Sequence, residues 1–235
     1  MSQLSCKNLC CGYDGKSVSG NIDFAVNSGD YLCIIGENGS GKSTLMKTIL
    51  GLIPPVSGSV CYDEGLKKNK IGYLPQQTVV QRDFPASVTE IVMSGFCGAN
   101  GVKPFYSKKQ KCEAEEKMQK MGILKFKDRC YRELSGGQQQ RVLLSRALCA
   151  TEKMILLDEP VAGLDPKVTA EMYELISNIN KSGTTVIMIS HDIDSALKYS
   201  SHILNVGKNM FFGAKEDYLK FIANTKNGGD ANANL

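Results

Sequence analysis

A glycine-rich loop between a short apolar run and an amphipathic segment constrains the fold of this chain more than any other feature. The loop and the residue after it are Gly36, Glu37, Asn38, Gly39, Ser40, Gly41, Lys42, Ser43 and Thr44. The run at residues 31–35 is typical of a buried strand, and the apolar residues after the loop have helical spacing. Glycines let backbone N–H groups turn inward around phosphate oxygens, and a helix N-terminus favours negative charge. The segment therefore predicts a phosphate-binding loop, in which Lys42 reaches the β- and γ-phosphates of a nucleotide and Ser43 contacts Mg²⁺.

A pair of carboxylates, Asp158 and Glu159, ends the apolar run at residues 154–157. If that run is a buried strand of an α/β sheet, its carboxyl end lies beside the phosphate loop. Asp158 would then hold Mg²⁺ through water or Ser43, whereas Glu159 would point elsewhere and polarise an attacking water as general base. The simpler alternative is a surface couplet that caps the strand. The apolar run and the following Pro160 favour the functional interpretation.

Size, charge and cysteine usage narrow the class of protein. A length of 235 residues suits one large α/β domain, with or without an inserted subdomain. The formal net charge of +4 is too small to indicate a nucleic-acid partner, and we expect none. The 9 cysteines are scattered and form no Cys-x-x-Cys pair, which favours free thiols in a reducing cytosol. We find neither a signal-peptide pattern nor an apolar run near the ~20 residues that span a bilayer, so we expect a soluble chain whose membrane role needs a separate partner.

Strand-like segments at both ends of the chain flank a helical middle third. The patterns predict strands at residues 21–26, 31–35, 57–62, 70–74, 154–157 and 184–190, a hairpin at 203–206 and 210–212, and helices at 42–50, 88–94, 108–121, 137–150, 166–180 and 215–223. This order predicts an α/β phosphate-loop NTPase core, mainly a parallel sheet with flanking helices. We expect a single domain over residues 1–224, with the core at 1–78 and 151–224 and a helical subdomain at about 79–150. Residues 225–235 are polar and rich in Gly, Asn and Ala, which predicts a disordered tail.

A second small-residue loop, Ser135, Gly136, Gly137 and Gln138, follows Leu134 and precedes a predicted helix. Its helix N-terminus could also bind an anion, although the chain already has one phosphate loop. With this loop the chain resembles the ATP-binding subunit of an ABC transporter, over about residues 4–221. The parts of that family occur in its order: Tyr13, the phosphate loop, Gln76, the signature loop at 134–138, the carboxylate pair, the segment 162–165 and His191.

The resemblance implies ATP and Mg²⁺ as ligands, an antiparallel β portion at the N-terminus, and a dimer. Two copies, or this chain and a homologous one, would pair so that each signature loop covers the ATP held by the other subunit. Asp165 would lie at that interface. As the residue before Pro166 it is also a good helix N-cap, and the two roles are compatible.

Three further roles depend on the resemblance. Gln76 would contact Mg²⁺ and the attacking water, and only the resemblance favours it over the adjacent Gln77. His191 would contact the γ-phosphate. Tyr13 would stack on adenine, although an aromatic residue near a strand end is commonly part of the core.

Membrane partners also follow from the resemblance. A groove between the segment after Gln76 and the helical subdomain would receive a short helix of an integral-membrane permease. Candidates to line it are Val79, Val80, Phe84, Ile91, Phe96, Phe105 and Tyr106. The chain would then be cytoplasmic and peripheral on the inner face of the membrane.

The sequence at residues 73–95 and 132–134 is similar to that of importers of zinc or manganese. This resemblance implies an extracytoplasmic metal-binding protein as a further partner. The chain has only His191 and His202 and no His-rich segment, so it is not expected to bind the transition metal itself. Three alternatives remain open: a transporter for another cargo, a soluble ABC-type ATPase that acts on ribosomes or DNA, and a module that holds ATP without hydrolysing it.

Overall fold

The computed structural model describes residues 2–63, 65–67, 70–76, 83–100, 105–151 and 153–229. The strands are β1 (Ser2–Tyr13), β2 (Lys16–Asn27), β3 (Tyr31–Ile35), β4 (Ser57–Tyr62), β5 (Ile71–Leu74), β6 (Met154–Asp158), β7 (Thr185–Ile189), β8 (His202–Asn205) and β9 (Phe211–Ala214). The helices are α1 (Lys42–Ile49), α2 (Val88–Met93), α3 (Cys97–Asn100), α4 (Lys108–Lys120), α5 (Gly136–Ala150), α6 (Pro166–Lys181), α7 (Ile193–Tyr199) and α8 (Lys215–Gly229).

A mixed sheet in the order β5-β6-β7-β3-β8-β9 forms the centre of the molecule. All neighbours in it are parallel except β8 and β9, which are antiparallel. β3, β6 and β7 are buried at every position, as expected for strands covered on both faces. The predicted α/β class with a mainly parallel sheet is confirmed.

Successive residues of β3 contribute to two hydrophobic clusters, one on each face of the sheet. Tyr31, Cys33 and Ile35 pack with residues of the helical region, whereas Leu32 and Ile34 pack with α1 and the N-terminal strands. This alternation is the two-residue period of a pleated strand. It fixes the end of β3, and so the start of the phosphate loop, between two packed layers.

The N-terminal strands form a separate antiparallel sheet in the order β2-β1-β4, which confirms the antiparallel portion. No pattern predicted β1. Its pairing with β2 contains several register shifts, so its buried residues do not alternate regularly along the sequence.

The helical region between β5 and β6 begins at a capping box, in which Ser87 and Glu90 satisfy each other's backbone N–H groups. Ser107 and Gln110 form the same arrangement at the start of α4. The long helix α5 joins this region to the sheet, since its residues pack against both α2 and β5. The division into core and helical subdomain is compatible with this arrangement and stays a prediction.

Two differences from the predicted elements occur near the C-terminus. Helix α7 was not predicted, because seven residues are too few for a clear helical period; Asp192 caps it by accepting a hydrogen bond from the N–H of Ser195. Helix α8 was predicted to end at residue 223 but continues to Gly229, into the segment predicted as a tail. Each residue added to an existing helix forms one more hydrogen bond, and this offsets the low helix propensity of residues such as Asn and Gly. Residues 230–235 lie outside the described part of the chain.

Candidate nucleotide-binding and hydrolysis site

The predicted site residues follow four neighbouring strands of the central sheet. Gln76 comes after β5, Asp158 ends β6, His191 comes after β7, and the phosphate loop comes after β3. The carboxyl ends of these parallel strands meet at one edge of the sheet, where open α/β sheets bind ligands. Residues that are more than a hundred positions apart in sequence therefore share one crevice.

The predicted strand, loop and helix order around the phosphate loop is confirmed. Gly36 has φ 145°, and a Cβ on it would overlap the carbonyl oxygen of Val206, so only glycine fits there. Gly41, with φ 93°, precedes the first turn of α1. Glu37, Asn38 and Gly39 are exposed at the tip. The backbone at Gly36 and Gly41 thus makes the tight turns that the predicted phosphate-binding role requires.

Lys42 closes this loop on itself. Its Nζ donates to the carbonyl oxygens of Gly36 and Glu37, at 2.8 Å each. Burial lowers the pKa of the Lys42 ammonium, and the carboxylates of Glu159 and Asp158 oppose that shift. Thr44, two residues after Lys42, is buried in the first turn of α1. The cation is therefore held at the loop and within the field of both carboxylates.

Asp158 and Ser43 bring two side-chain oxygens together beside the loop. The Ser43 hydroxyl donates to Asp158 Oδ1 at 3.4 Å, and Asp158 is 3% exposed. Burial raises the pKa of Asp158, and the hydrogen bond from Ser43 opposes the shift. A serine hydroxyl and one carboxylate, completed by phosphate oxygens and water, are a donor set that suits Mg²⁺. The residues present therefore fit the predicted ion.

Glu159 bridges Gln76 and His191. The Gln76 amide donates to Glu159 Oε2 at 2.9 Å, and His191 Nε2 lies 2.7 Å from Glu159 Oε1. Glu159 has φ 51°, a left-handed conformation that is unusual for a residue other than glycine. This backbone turn explains how adjacent carboxylates face different partners, Ser43 for Asp158 and the Gln76–His191 pair for Glu159. The sequence predicted the three residues singly and missed the bridge between them.

The signature loop forms the N-terminus of α5. Ser135 and Gln138 form a capping box, in which the Ser135 N–H donates to Gln138 Oε1 at 3.0 Å. Gly137 lies against Val168 of α6 so closely that a Cβ on it would overlap Val168 Cγ1, and Gly136 faces Leu164. Within the described part of the chain, the loop thus contacts its own helix and the segment around α6.

The remaining predicted residues lie near these elements. Asp165 is confirmed as the N-cap of α6, because its Oδ1 accepts from the N–H groups of Lys167 and Val168, each at 3.1 Å. Tyr13 ends β1 and is 46% exposed, so its ring is not part of the core. Sequence reasoning also missed an ion pair between Arg141 of α5 and Glu171 of α6, at 2.7 Å. It ties the signature helix to the helix that follows Asp165.

An apolar groove of about 330 Å³ opens beside the segment that carries Gln76. Pro75, Phe84, Ala86, Glu90, Ile91, Ser94, Tyr131, Leu143 and Arg146 line it. Of the predicted groove residues, Phe84 and Ile91 therefore line it. Phe96 is buried in the core and Tyr106 packs against the core, whereas Phe105 is 84% exposed. Val79 and Val80 lie outside the described residues. In the part of the chain that the structure describes, no helix combines the length and apolar character needed to cross a bilayer.

A phosphate loop after the central strand, a buried aspartate beside its serine and a glutamate after that aspartate define the class of α/β phosphate-loop nucleoside triphosphatases. Residues 19–162 match the sequence model of the family described as "ABC transporter". The chain belongs to the ABC transporter family, as an ATP-binding subunit. Such subunits are ATPases that bind ATP with Mg²⁺, and they pair with membrane permease subunits.

Relatives of the chain share most of its length. The manganese transport system ATP-binding protein MntB of Bacillus subtilis is 37% identical over 221 residues, which are 92% of this chain and 88% of MntB. The zinc uptake system ATP-binding protein ZurA of Listeria monocytogenes is 32% identical over 228 residues, 94% of this chain and 89% of ZurA. Among solved structures, an inward-facing ABC transporter assigned to the metal-chelate type superposes with a TM-score of 0.84 at 28% identity, covering 93% of this chain and 86% of that one.

Proposed function

We propose that the chain is the ATP-hydrolysing motor of an importer for a divalent metal ion, zinc or manganese. The observation that carries the hydrolytic part is the bridge from Glu159 to Gln76 and His191 beside the phosphate loop. The cargo follows from the relatives, because transport systems for manganese and for zinc both occur among them.

The side chains have separate roles in hydrolysis. Lys42 and the loop N–H groups bind the phosphates, and Tyr13 stacks on the adenine. Glu159 accepts a proton from the attacking water, a role that suits a carboxylate oriented from both sides by hydrogen bonds. Gln76 and His191 orient that carboxylate, and His191 also senses the γ-phosphate. Ser43, Asp158 and Gln76 would hold Mg²⁺, which supplies neutralisation of charge on the phosphate oxygens.

The signature loop serves the ATP of a second subunit in this proposal. Ser135, Gly136, Gly137 and Gln138 present a helix N-terminus, which favours an anion. Their described contacts are to α5 and α6 of the same chain, so the exposed side of the loop is free to face a partner. A homodimer, or a pair with a homologous chain, would bury two ATP molecules between phosphate loop and signature loop, with Asp165 at the same interface.

The permease docks in the apolar groove beside Gln76. Phe84 is 55% exposed there, and the groove is mostly apolar, with Glu90 and Arg146 as its charged lining residues. Such a groove suits a short amphipathic helix. Because Pro75 lines the groove, a docked helix would lie next to Gln76, and its position would depend on whether Gln76 is hydrogen-bonded to Glu159. The chain would accordingly act on the cytoplasmic face of the membrane.

The metal is recognised by other subunits, a permease and an extracytoplasmic metal-binding protein. Among the described residues no group of three or more His, Cys, Asp and Glu side chains is arranged to hold a metal ion. The chain then contributes energy through ATP-driven closure of the dimer, and selectivity for zinc or manganese resides in its partners.

Uptake of radioactive zinc and manganese tests the cargo. Cells that lack the chain should regain uptake of one of these ions with the parent gene, and not with Glu159→Gln. Phe84→Glu should also fail to restore uptake while the purified variant still binds ATP. If the parent gene changes uptake of neither ion, the cargo is another one. If the tagged chain is recovered with ribosomes or DNA and not with a multi-span membrane protein, the soluble-ATPase alternative is correct.

A further inference from the structure

A buried contact joins α6 to the segment that carries the proposed γ-phosphate sensor. The hydroxyl of Tyr173 lies 3.0 Å from the hydroxyl of Ser190, the residue directly before His191. Tyr173 and Ser190 are both almost fully buried. Tyr173 belongs to the helix that begins after Asp165, so the contact connects the proposed dimer interface with the hydrolysis site.

Ser190 fixes the backbone on both sides of His191. Its N–H donates to the carbonyl oxygen of Ile34 in β3 at 3.1 Å, and its Oγ accepts from the N–H of Asp192 at 3.0 Å. Asp192 is held in turn as the cap of α7. Because the two neighbours of His191 are anchored through Ser190, the direction of the imidazole depends on where the Ser190 hydroxyl is held.

The ring of Tyr173 has little freedom of its own. It is 1% exposed and stacks on Tyr199 of α7, with ring centroids 5.4 Å apart and an interplanar angle of 4°. Its hydroxyl is therefore presented to Ser190 by a rigid support. The hydroxyl of Tyr199, in contrast, bonds to Glu174 near the surface, at 2.8 Å.

We propose that Tyr173 is a positioning residue for ATP hydrolysis. Its hydroxyl holds the Ser190 hydroxyl in place. Ser190 in turn keeps His191 Nε2 at 2.7 Å from Glu159 Oε1. The inference rests on the proposed function of His191. Through Tyr173 and Ser190, a displacement of α6 at the dimer interface would change the alignment of the Glu159 carboxylate.

Two tyrosine variants separate this role from general packing. Tyr173→Phe removes one oxygen and keeps the stacked ring, and Tyr199→Phe removes the hydroxyl of the other ring in the same stack. Tyr173→Phe should lower kcat about tenfold with KM for ATP within about twofold, since small misalignments cost catalysis more than binding. Tyr199→Phe should keep both values at the parent level. Ser190→Ala removes the other partner of the contact and should reproduce the loss, with thermal melting measured for each variant.

A double-mutant cycle identifies the residue through which Tyr173 acts. His191→Ala should lower kcat strongly, and adding Tyr173→Phe should then cause no further loss, because the two changes disrupt one interaction. If His191→Ala keeps the parent kcat, the proposed function of His191 fails whatever Tyr173 does. If His191→Ala is impaired, two results overturn the inference: a parent kcat in Tyr173→Phe, whatever Ser190→Ala does, or the same fold loss from Tyr173→Phe in both backgrounds.

Discussion

His191 Nε2 and Glu159 Oε1 lie 2.7 Å apart, although the two residues belong to different strand ends and are 32 positions apart in sequence. The second oxygen of Glu159 is bound by Gln76. A carboxylate held from both sides is oriented before a substrate arrives, and such preorganisation is worth more than its hydrogen bonds alone.

Replacing His191 by alanine tests this relationship. Glu159 would keep its bond to Gln76 but lose its partner on the other side. We expect kcat to fall about 10²-fold, at the lower end of what a misaligned general base costs, with little change in KM for ATP. Phosphate release under saturating ATP measures the effect. A parent rate would mean that the His191 contact has no part in hydrolysis.

Ser135→Arg separates the two phosphate-binding loops. The exposed arginine would block the loop where a second subunit docks, so turnover should be lost while ATP affinity stays near that of the parent. Ser107→Arg is the matched control, because Ser107 caps α4 with the same Ser–Gln capping box. Affinity measured with a fluorescent ATP analogue distinguishes the cases. A large loss of affinity in Ser135→Arg alone would mean that the loop acts within its own chain.

Gly137 should tolerate no side chain while Val168 faces it. In Gly137→Ala the new Cβ would overlap Val168 Cγ1, and overpacking of this kind costs about 1–3 kcal/mol. The melting temperature should fall by ~2–4 °C per kcal/mol for a domain of this size. Adding Val168→Ala should restore it, since the nearest remaining atom, Val168 Cβ, would be 3.7 Å away. Failure of the second change to restore stability would contradict the packing described for α5 and α6.

Thiol labelling tests the burial of the cysteines. Cys61, Cys97 and Cys112 are exposed and should react readily with a thiol reagent in the native protein. Cys6 and Cys33 are buried, and burial raises the pKa of both thiols, so they should react only after unfolding. Mass spectrometry of labelled peptides reads out each position. Rapid native labelling of Cys33 would contradict its place inside β3.

Local patterns predicted those parts of the site that are continuous in sequence. The phosphate loop, the strand before Asp158 and the cap at Asp165 each carry their own signal, and each has the expected structure. The fold class followed because strands and helices alternate with clear periods. Strand β1 escaped prediction since its register shifts break the period of two.

Contacts between distant segments could not be predicted from local patterns. The bridge at Glu159 requires the strand order β5-β6-β7 and a left-handed backbone at Glu159 itself. No local sequence pattern predicts either feature. The approach of Tyr173 to Ser190 likewise depends on how α6 packs on the sheet. A tyrosine in an amphipathic helix and a serine before a histidine are each ordinary in sequence.

The oligomeric state of Glu159→Gln shows whether ATP joins two copies of the chain and whether Glu159 is needed to release them. An amide in place of the carboxylate should still allow ATP to bind but should not take a proton from water, so the nucleotide-bound dimer should persist. Sedimentation with ATP and Mg²⁺ should show a dimer that is absent without ATP, and adding Ser135→Arg should return the protein to monomer. Hydrolysis at the parent rate by Glu159→Gln would contradict the role of Glu159 as general base. A monomer with ATP bound would contradict the homodimer and leave a homologous chain as the partner.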